Sequence, residues 1–247
     1  MAVSQIKIIK PGTLAIDGFE SPESYVLAMK YLSGIGGGST VSLIKSDATI
    51  LVDTGYDYET DRSDDNIKKN RKNLLKALKF AGFTPKDIDM VYISHWHADH
   101  FMNYKIFSDS EIIVHDKIIE RLNLDFTGVA EGEKIADGVE VLFTPGHTID
   151  NTSLLLKTEP LRYMRRTNSG GMIWGIGKVN VVIAGDAIVS SACYATNTIW
   201  NHNGDFFSHD AAFESTKKIR EVADFIIPGH GGIFTNTKEE KMSDQPS

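Results

Sequence analysis

The chain of 247 residues contains a single cysteine, Cys193. One thiol excludes an internal disulfide framework and suits a reducing compartment, so a cytoplasmic location is expected. No apolar run approaches the roughly 20 residues that cross a bilayer, which argues against a membrane partner. The opening stretch, Met1-Ala-Val-Ser-Gln-Ile-Lys-Ile-Ile-Lys10, holds too short an apolar segment for a secretory signal. Positive charge is not in excess either: 26 Lys and Arg against 33 Asp and Glu leave a formal net charge of −7. A strongly basic groove for nucleic acid is thereby disfavoured, although local patches are not. Nothing reads as a linker, and no repeat is strong enough to mark a duplication. With 41% hydrophobic residues the chain can bury one substantial core or two closely packed halves. Residues 1–237 are therefore read as one domain, and the charged, proline-bearing 238–247 as a frayed tail.

What the chain does have is a series of short β-branched runs, each cluster closed by a helical segment. Thr40-Val-Ser-Leu-Ile44 and Thr49-Ile-Leu-Val52 read as a hairpin. Gly34-Ile-Gly-Gly-Gly38 before them reads as a loop of unusual backbone angles, and the acidic Tyr56 to Asp65 as a solvated loop. From Asn66 to Ala81, Ile67, Leu74, Leu75 and Leu78 recur at helical spacing, with Ser63 or Asp64 as cap and Gly82 as stop. Its lysines suit the exposed face of an amphipathic surface helix. Further strands are expected at 111–114, 139–143, 152–156, 179–183 and 224–227, with a helix from about Asp210 to Val222. This order predicts an α/β sandwich of two mixed sheets packed face to face, with helices outside.

The densest chemistry is Ser94-His-Trp-His-Ala-Asp-His100, directly after the apolar run Met90-Val-Tyr-Ile93. On a helix, His95 and His97 would point nearly opposite ways. On an extended segment leaving a strand they project to one side and can reach one metal ion. Asp99 and His100, opening a helix, would point at a second ion nearby. Three more candidates end apolar strands: His147 after Thr-Pro-Gly146, Asp186 after Ala-Gly185 and His230 after Pro-Gly229. The glycine before each allows a tight turn and a close backbone approach. Imidazole and carboxylate suit zinc, with iron or manganese able to fill similar sites, and two ions about 3.5–4 Å apart can clamp both ends of a hydrolysis.

Taken with Ile50-Leu-Val-Asp-Thr-Gly55, these stretches resemble, in order and across nearly the whole chain, the metallo-β-lactamase-fold hydrolases. The resemblance implies an αββα sandwich and two divalent ions. One would take His95, His97 and His147, the other Asp99, His100 and His230. Asp186 would bridge both together with a water or hydroxide that attacks a carbonyl, and Asp99 or solvent would return a proton to the leaving group. Asp53 resembles an acid that orients a liganding residue without binding metal; read from its own surroundings it is equally a turn cap. The family's diiron electron-transfer branch has an acidic residue where His97 stands, so redox chemistry is not implied. Its commonest β-lactamases carry cysteine at the second metal, where this chain has Asp186.

The complete set is more like glyoxalase II, acyl-homoserine-lactone lactonases and animal metallo-β-lactamase-domain-containing proteins. The closing segment Glu214 to Phe234 resembles a small subfamily of the last group that has been linked to RNA cleavage. No basic extension or exosite of the kind carried by glyoxalase II and tRNA-processing relatives is expected from the residues that follow His230. A small-molecule ester, lactone or thioester is thus the expected substrate, with a phosphodiester or RNA as the rival. A non-catalytic scaffold would have lost donors, and all seven are present.

Outside the motif, His115, His202 and His209 are read as structural or loop histidines. Residues 193–209 begin beside Asp186, so Tyr194, Trp200, Phe206 and Phe207 are expected to wall a substrate pocket. Tyr194 is either a packed aromatic or a hydrogen-bond donor to substrate. Residues 158–179, with Arg162, Arg165, Arg166 and Trp174, form a long connection between the strands that carry His147 and Asp186. They are expected to form an exposed hairpin or a homo-oligomer contact in preference to a lid.

Overall fold

Side-chain alternation sets the layers. In Thr49–Val52, Ile50 and Val52 face one way and Leu51 the other. Leu154 and Leu156 likewise oppose Leu155, and Val181 and Ile183 oppose Val182. All are buried, so each of these strands is covered on both sides. The computed structural model describes residues 2–12, 38–57, 62–166, 171–201 and 203–236 and has the layers that this pattern requires. The expected tail 238–247, His202 and residues 34–37 of the glycine-rich stretch lie outside these residues.

The first sheet runs β1 (Gln5–Lys10), β2 (Val41–Lys45), β3 (Thr49–Val52), β4 (Met90–Tyr92), β5 (Glu111–His115) and β6 (Thr127–Val129), in that order. Its first three strands pair antiparallel and the rest parallel. The second contains β7 (Lys134–Ala136), β8 (Val139–Phe143), β9 (Thr152–Lys157), β12 (Asn180–Ile183), β13 (Phe225–Ile227) and β14 (Phe234–Thr235). Their order is β14-β13-β12-β9-β8-β7, with only β12 and β13 parallel. The inner faces meet through Ile44, Ile50, Val52 and Ile113 on one side and Val141, Leu154, Val181 and Ile227 on the other. Each such aliphatic side chain contributes roughly 1.5–3 kcal/mol by leaving water.

Helices cover the outer faces. Against the first sheet lie α1 (Asp64–Phe80) and α3 (Asp116–Leu122); the single turn α2 (Ala98–Phe101) lies at the rim. Against the second lie α4 (Ser191–Ala195) and α5 (His209–Val222). Ser63 caps α1, its Oγ accepting from Asn66 N at 3.3 Å. Leu74 and Leu78 face the sheet as expected, but Leu75 is exposed. Towards its start the inward stripe of α1 is polar: Asn70 Oδ1 accepts from Asp57 N at 2.6 Å, and the side chains of Asn66 and Asn70 donate to Asp57 O. That explains a departure from expectation. Tyr56 and Asp57, read as part of a solvated acidic loop, are buried, and the Asp57 carboxylate pairs with buried Lys10 at 2.9 Å.

The connection 158–179 is largely an antiparallel hairpin, β10 (Leu161–Arg166) and β11 (Met172–Gly177), forming a separate two-stranded sheet. Tyr163 packs on Phe225 of the core, while Trp174 and Ile176 are exposed. Among the described residues no helix is long and apolar enough to cross a membrane.

Candidate metal centre

Five segments leave strand ends at one rim of the sandwich: Asp53 after β3, Ser94 to His100 after β4, His147 after β8, Asp186 after β12 and His230 after β13. The sheets are tied together there. Ser94 O accepts from both the N–H and the hydroxyl of Thr152, at 2.9 and 3.0 Å, and Tyr92 Oη donates to Thr152 Oγ1 at 2.6 Å. His97 is extended (φ −94, ψ 145) and caps α2, so it projects from extended chain while Asp99 and His100 sit on the helical turn and His95 on the bend before it. The glycines act as expected: a Cβ on Gly229 would lie 1.8 Å from Asp186 Oδ1, and Gly185 has φ +51 against Ser94.

All seven expected donors converge, in two groups. His95, His97, His147 and Asp186 form the first; Asp99, His100 and His230 form the second. In the first, His97 Nδ1 is 2.9 Å from His95 Nε2 and 3.0 Å from His147 Nε2, which is itself 3.2 Å from Asp186 Oδ2. In the second, Asp99 Oδ2 lies 3.4 Å from His100 Nε2 and 3.3 Å from His230 Nε2. Asp186 reaches this group too, Oδ1 to His100 Nε2 at 3.4 Å and Oδ2 to His230 Nε2 at 3.6 Å. Its carboxylate thus faces donors of both groups.

The donors fit divalent ions. A tetrahedral zinc with ligands at about 2.0–2.2 Å keeps its donor atoms roughly 3.3 Å apart, and the separations above run from 2.9 to 3.6 Å. His100 Nε2 and Asp186 Oδ1 are buried without a hydrogen-bond partner, an arrangement that a shared cation would satisfy.

Protonation divides the groups. Burial, aided by neighbouring imidazoles, holds His95 well below the ordinary value of 6.5, and burial pushes His147 down to about 4. Both carry lone pairs at neutral pH, as ligation requires. Burial acts the same way on His100 and His230, but the carboxylates outweigh it: Asp99, Asp53 and Asp186 raise His100 well above 6.5, and Asp186 and Asp99 raise His230. Burial opposes ionisation of Asp186, yet His230, His100 and His147 hold its carboxyl well below the usual range.

Asp53 contacts no second donor of either group. Its Oδ2 meets His100 Nδ1 at 2.7 Å, and the carboxylate takes hydrogen bonds from Ser94 N and Oγ at 2.8 and 2.9 Å. It adopts φ 59, so turn geometry and contact with His100 go together. His115, by contrast, caps α3, accepting from Lys117 N at 3.1 Å, and stacks on Phe143. His209 opens α5, exposed and beside Asn201.

A cavity of about 230 Å³ borders His147 and Asp186 and is walled in part by Trp200, Tyr194, Phe213 and Lys217. Phe206 and Phe207, expected in that wall, are not part of it. Phe206 packs on His209, and Phe207 is exposed, its N–H donating to Gly146 O at 3.0 Å. Tyr194 is there with its ring, but its hydroxyl is engaged by Asn236 and by Arg220 Nε at 3.1 Å, which makes it a packed aromatic. A larger cleft, about 1430 Å³, opens between β1, the β10–β11 hairpin and β13 and includes none of the seven donors. Two residues the sequence did not single out touch the centre. Asp205 Oδ1 is 2.9 Å from His97 Nε2, and Asn203 Nδ2 donates to His147 O at 2.9 Å.

Residues 34–230 match the Metallo-beta-lactamase superfamily, and the chain belongs to that family. It is 30% identical over 242 residues to the Xenopus laevis metallo-beta-lactamase domain-containing protein 1, covering 91% of this chain and 87% of that one. A shorter match, 29% over 99 residues, covers 35% of this chain and 40% of the N-acyl homoserine lactonase of Bacillus cereus. Among solved structures, a quorum-quenching N-acyl homoserine lactone lactonase superimposes with a TM-score of 0.62 at 21% identity, over 99% of this chain and 97% of that one. At that identity the superposition shows the shared fold.

Proposed function

We propose that the protein is a hydrolase with two divalent ions, zinc in the first instance, that cleaves a small carboxylic ester, lactone or thioester in the cytoplasm. The observation that carries this reading is the position of Asp186, whose two oxygens face both donor groups. In this reading His95, His97 and His147 hold one ion, Asp99, His100 and His230 the other, and Asp186 both. When bound, such ions supply Lewis acidity and lower the pKa of water enough for hydroxide to attack a carbonyl at neutral pH. The residues keep the donors in place and charged appropriately. Asp53 orients His100, and Asp99, its side chain 12% exposed, is placed to return a proton to the departing alkoxide or thiolate.

The small cavity beside His147 and Asp186 and the net charge of −7 favour a small substrate over a polyanionic strand. The lactone specificity named for the Bacillus cereus relative points the same way. Phosphodiester or RNA cleavage, which the resemblance carried by the segment Glu214 to Phe234 implies, is the second reading. Elemental analysis of protein purified without chelator should find close to two ions per chain. A persistent absence after metal supplementation would sink the site. Turnover of lactones and thioesters should vary little between low and moderate salt. RNA cleavage that weakens steeply over the same range, with no carbonyl substrate turned over, would replace the first reading by the second.

A further inference from the structure

A neutral imidazole has one lone pair and one N–H, so a histidine can present a chosen nitrogen to a metal only if the other nitrogen is held as donor. Here the fold core supplies three of these holds. Ser94 Oγ stands 3.1 Å from His95 Nδ1, Asp53 Oδ2 lies 2.7 Å from His100 Nδ1, and Gly38 O lies 3.1 Å from His230 Nδ1. Among the described residues His147 Nδ1 is buried without a partner.

His97 departs from this pattern. It turns Nδ1 inward, and its Nε2 is met by Asp205 Oδ1 at 2.9 Å. Asp205 belongs to the exposed segment before α5, with half its side chain in solvent (52%). Asn203 Nδ2 donates both to Asp205 Oδ1 and to His147 O, each at 2.9 Å. The N–H groups of Phe207 and Ser208 donate to Gly146 O at 3.0 and 3.2 Å. Residues 203–208 therefore grip two donors of the first group, one by its ring and one by its main chain.

We propose that Asp205 is a positioning residue that fixes His97 as the Nε2–H tautomer and so presents Nδ1 to the first ion, and that Asn203 braces it, coupling ion binding to the order of residues 203–208. This rests on the two-ion reading above. The His97 ring adds a side-chain grip on the segment to the main-chain ones, and the segment in turn fixes the orientation of that ring.

The test compares the wild type, Asp205→Asn and Asp205→Ala by chelator competition, with ion content as readout, and by amide exchange of residues 203–208. Asp205→Ala should weaken one ion by about 10–100-fold and leave the other unchanged, the usual size for loss of such a partner. Asp205→Asn keeps an acceptor oxygen and should retain most of the affinity. Adding zinc should slow exchange in 203–208 in the wild type and not in Asp205→Ala. Unchanged affinity for both ions in Asp205→Ala overturns the inference, as does an Asn variant as weak as the Ala one. A fall in the metal-free melting temperature with intact ion affinity would show a merely structural bond. If the wild type itself binds fewer than two ions, the two-ion reading fails first, and the outcomes remain separable.

Discussion

Asp186 is buried, faces both donor groups and is ionised by the histidines around it. Asp186→Ala should therefore lower turnover by orders of magnitude and release ions, whereas His115→Ala should do neither; equal effects would mean that the donors are misassigned. The metal-free protein should also show these imidazoles in its stability. Burial keeps His147 neutral down to about pH 4 and holds His95 well below its ordinary value, whereas unfolded histidines take up protons below 6.5. The unfolded state then binds more protons, so stability is present above about 6.5 and is lost as pH falls through that window. His100 and His230, whose pKa values are raised, act in the opposite sense above about 6.5, where the unfolded histidines are still neutral, and add little below it. The cost from His147 is on the order of 3 kcal/mol at the acid end. Urea unfolding of chelated protein at pH 7 and 5 would reveal it, and greater resistance at pH 5 would refute it. The seven side chains that converge at the rim were legible in sequence because four stand together after β4 and three follow a glycine at a strand end. Asp205 was not: it stands 108 residues from His97, and an Asp in a polar loop has no local signature.

At the scale of elements, periodicity located β2, β3, β8, β9, α1 and α5 to within two residues. It missed β6, β7 and β14, which run only two or three residues, too short for a period of two to show. The cap at Ser63 was legible, but not the inward Asn66 and Asn70, which fill positions normally apolar because they hold Asp57. The segment after Asp186 borders the cavity beside it, but which aromatics turn inward depends on α4 and α5, and of the four only Trp200 and Tyr194 line that cavity. Trp200→Ala should thus shift preference among acyl substrates severalfold at unchanged metal content, while Phe207→Ala should not. A substrate panel run on both variants decides it, and a Phe207 effect without a Trp200 effect would reverse the assignment. Removing the Tyr194 hydroxyl should cost stability, about 1–2 kcal/mol for a lost buried hydrogen bond, and leave preference alone.

For the molecule as a whole, the donors cross the sandwich. His95, His97, Asp99 and His100 follow the first sheet, and His147, Asp186 and His230 the second. Ions bound only by the folded state raise its stability, so chelation should lower the melting temperature and zinc should restore it. A chelated protein that melts unchanged would argue against ions at this rim. The layout has a consequence for biosynthesis. Each sheet is a contiguous stretch of chain, 5–129 and then 134–235, and both donor groups draw on each stretch. A nascent chain that has completed only its first sheet has four donors and neither full set. In the two-ion reading, ion capture waits for the second sheet, and two separately expressed halves divided near residue 131 should bind ions tightly only after they reassemble.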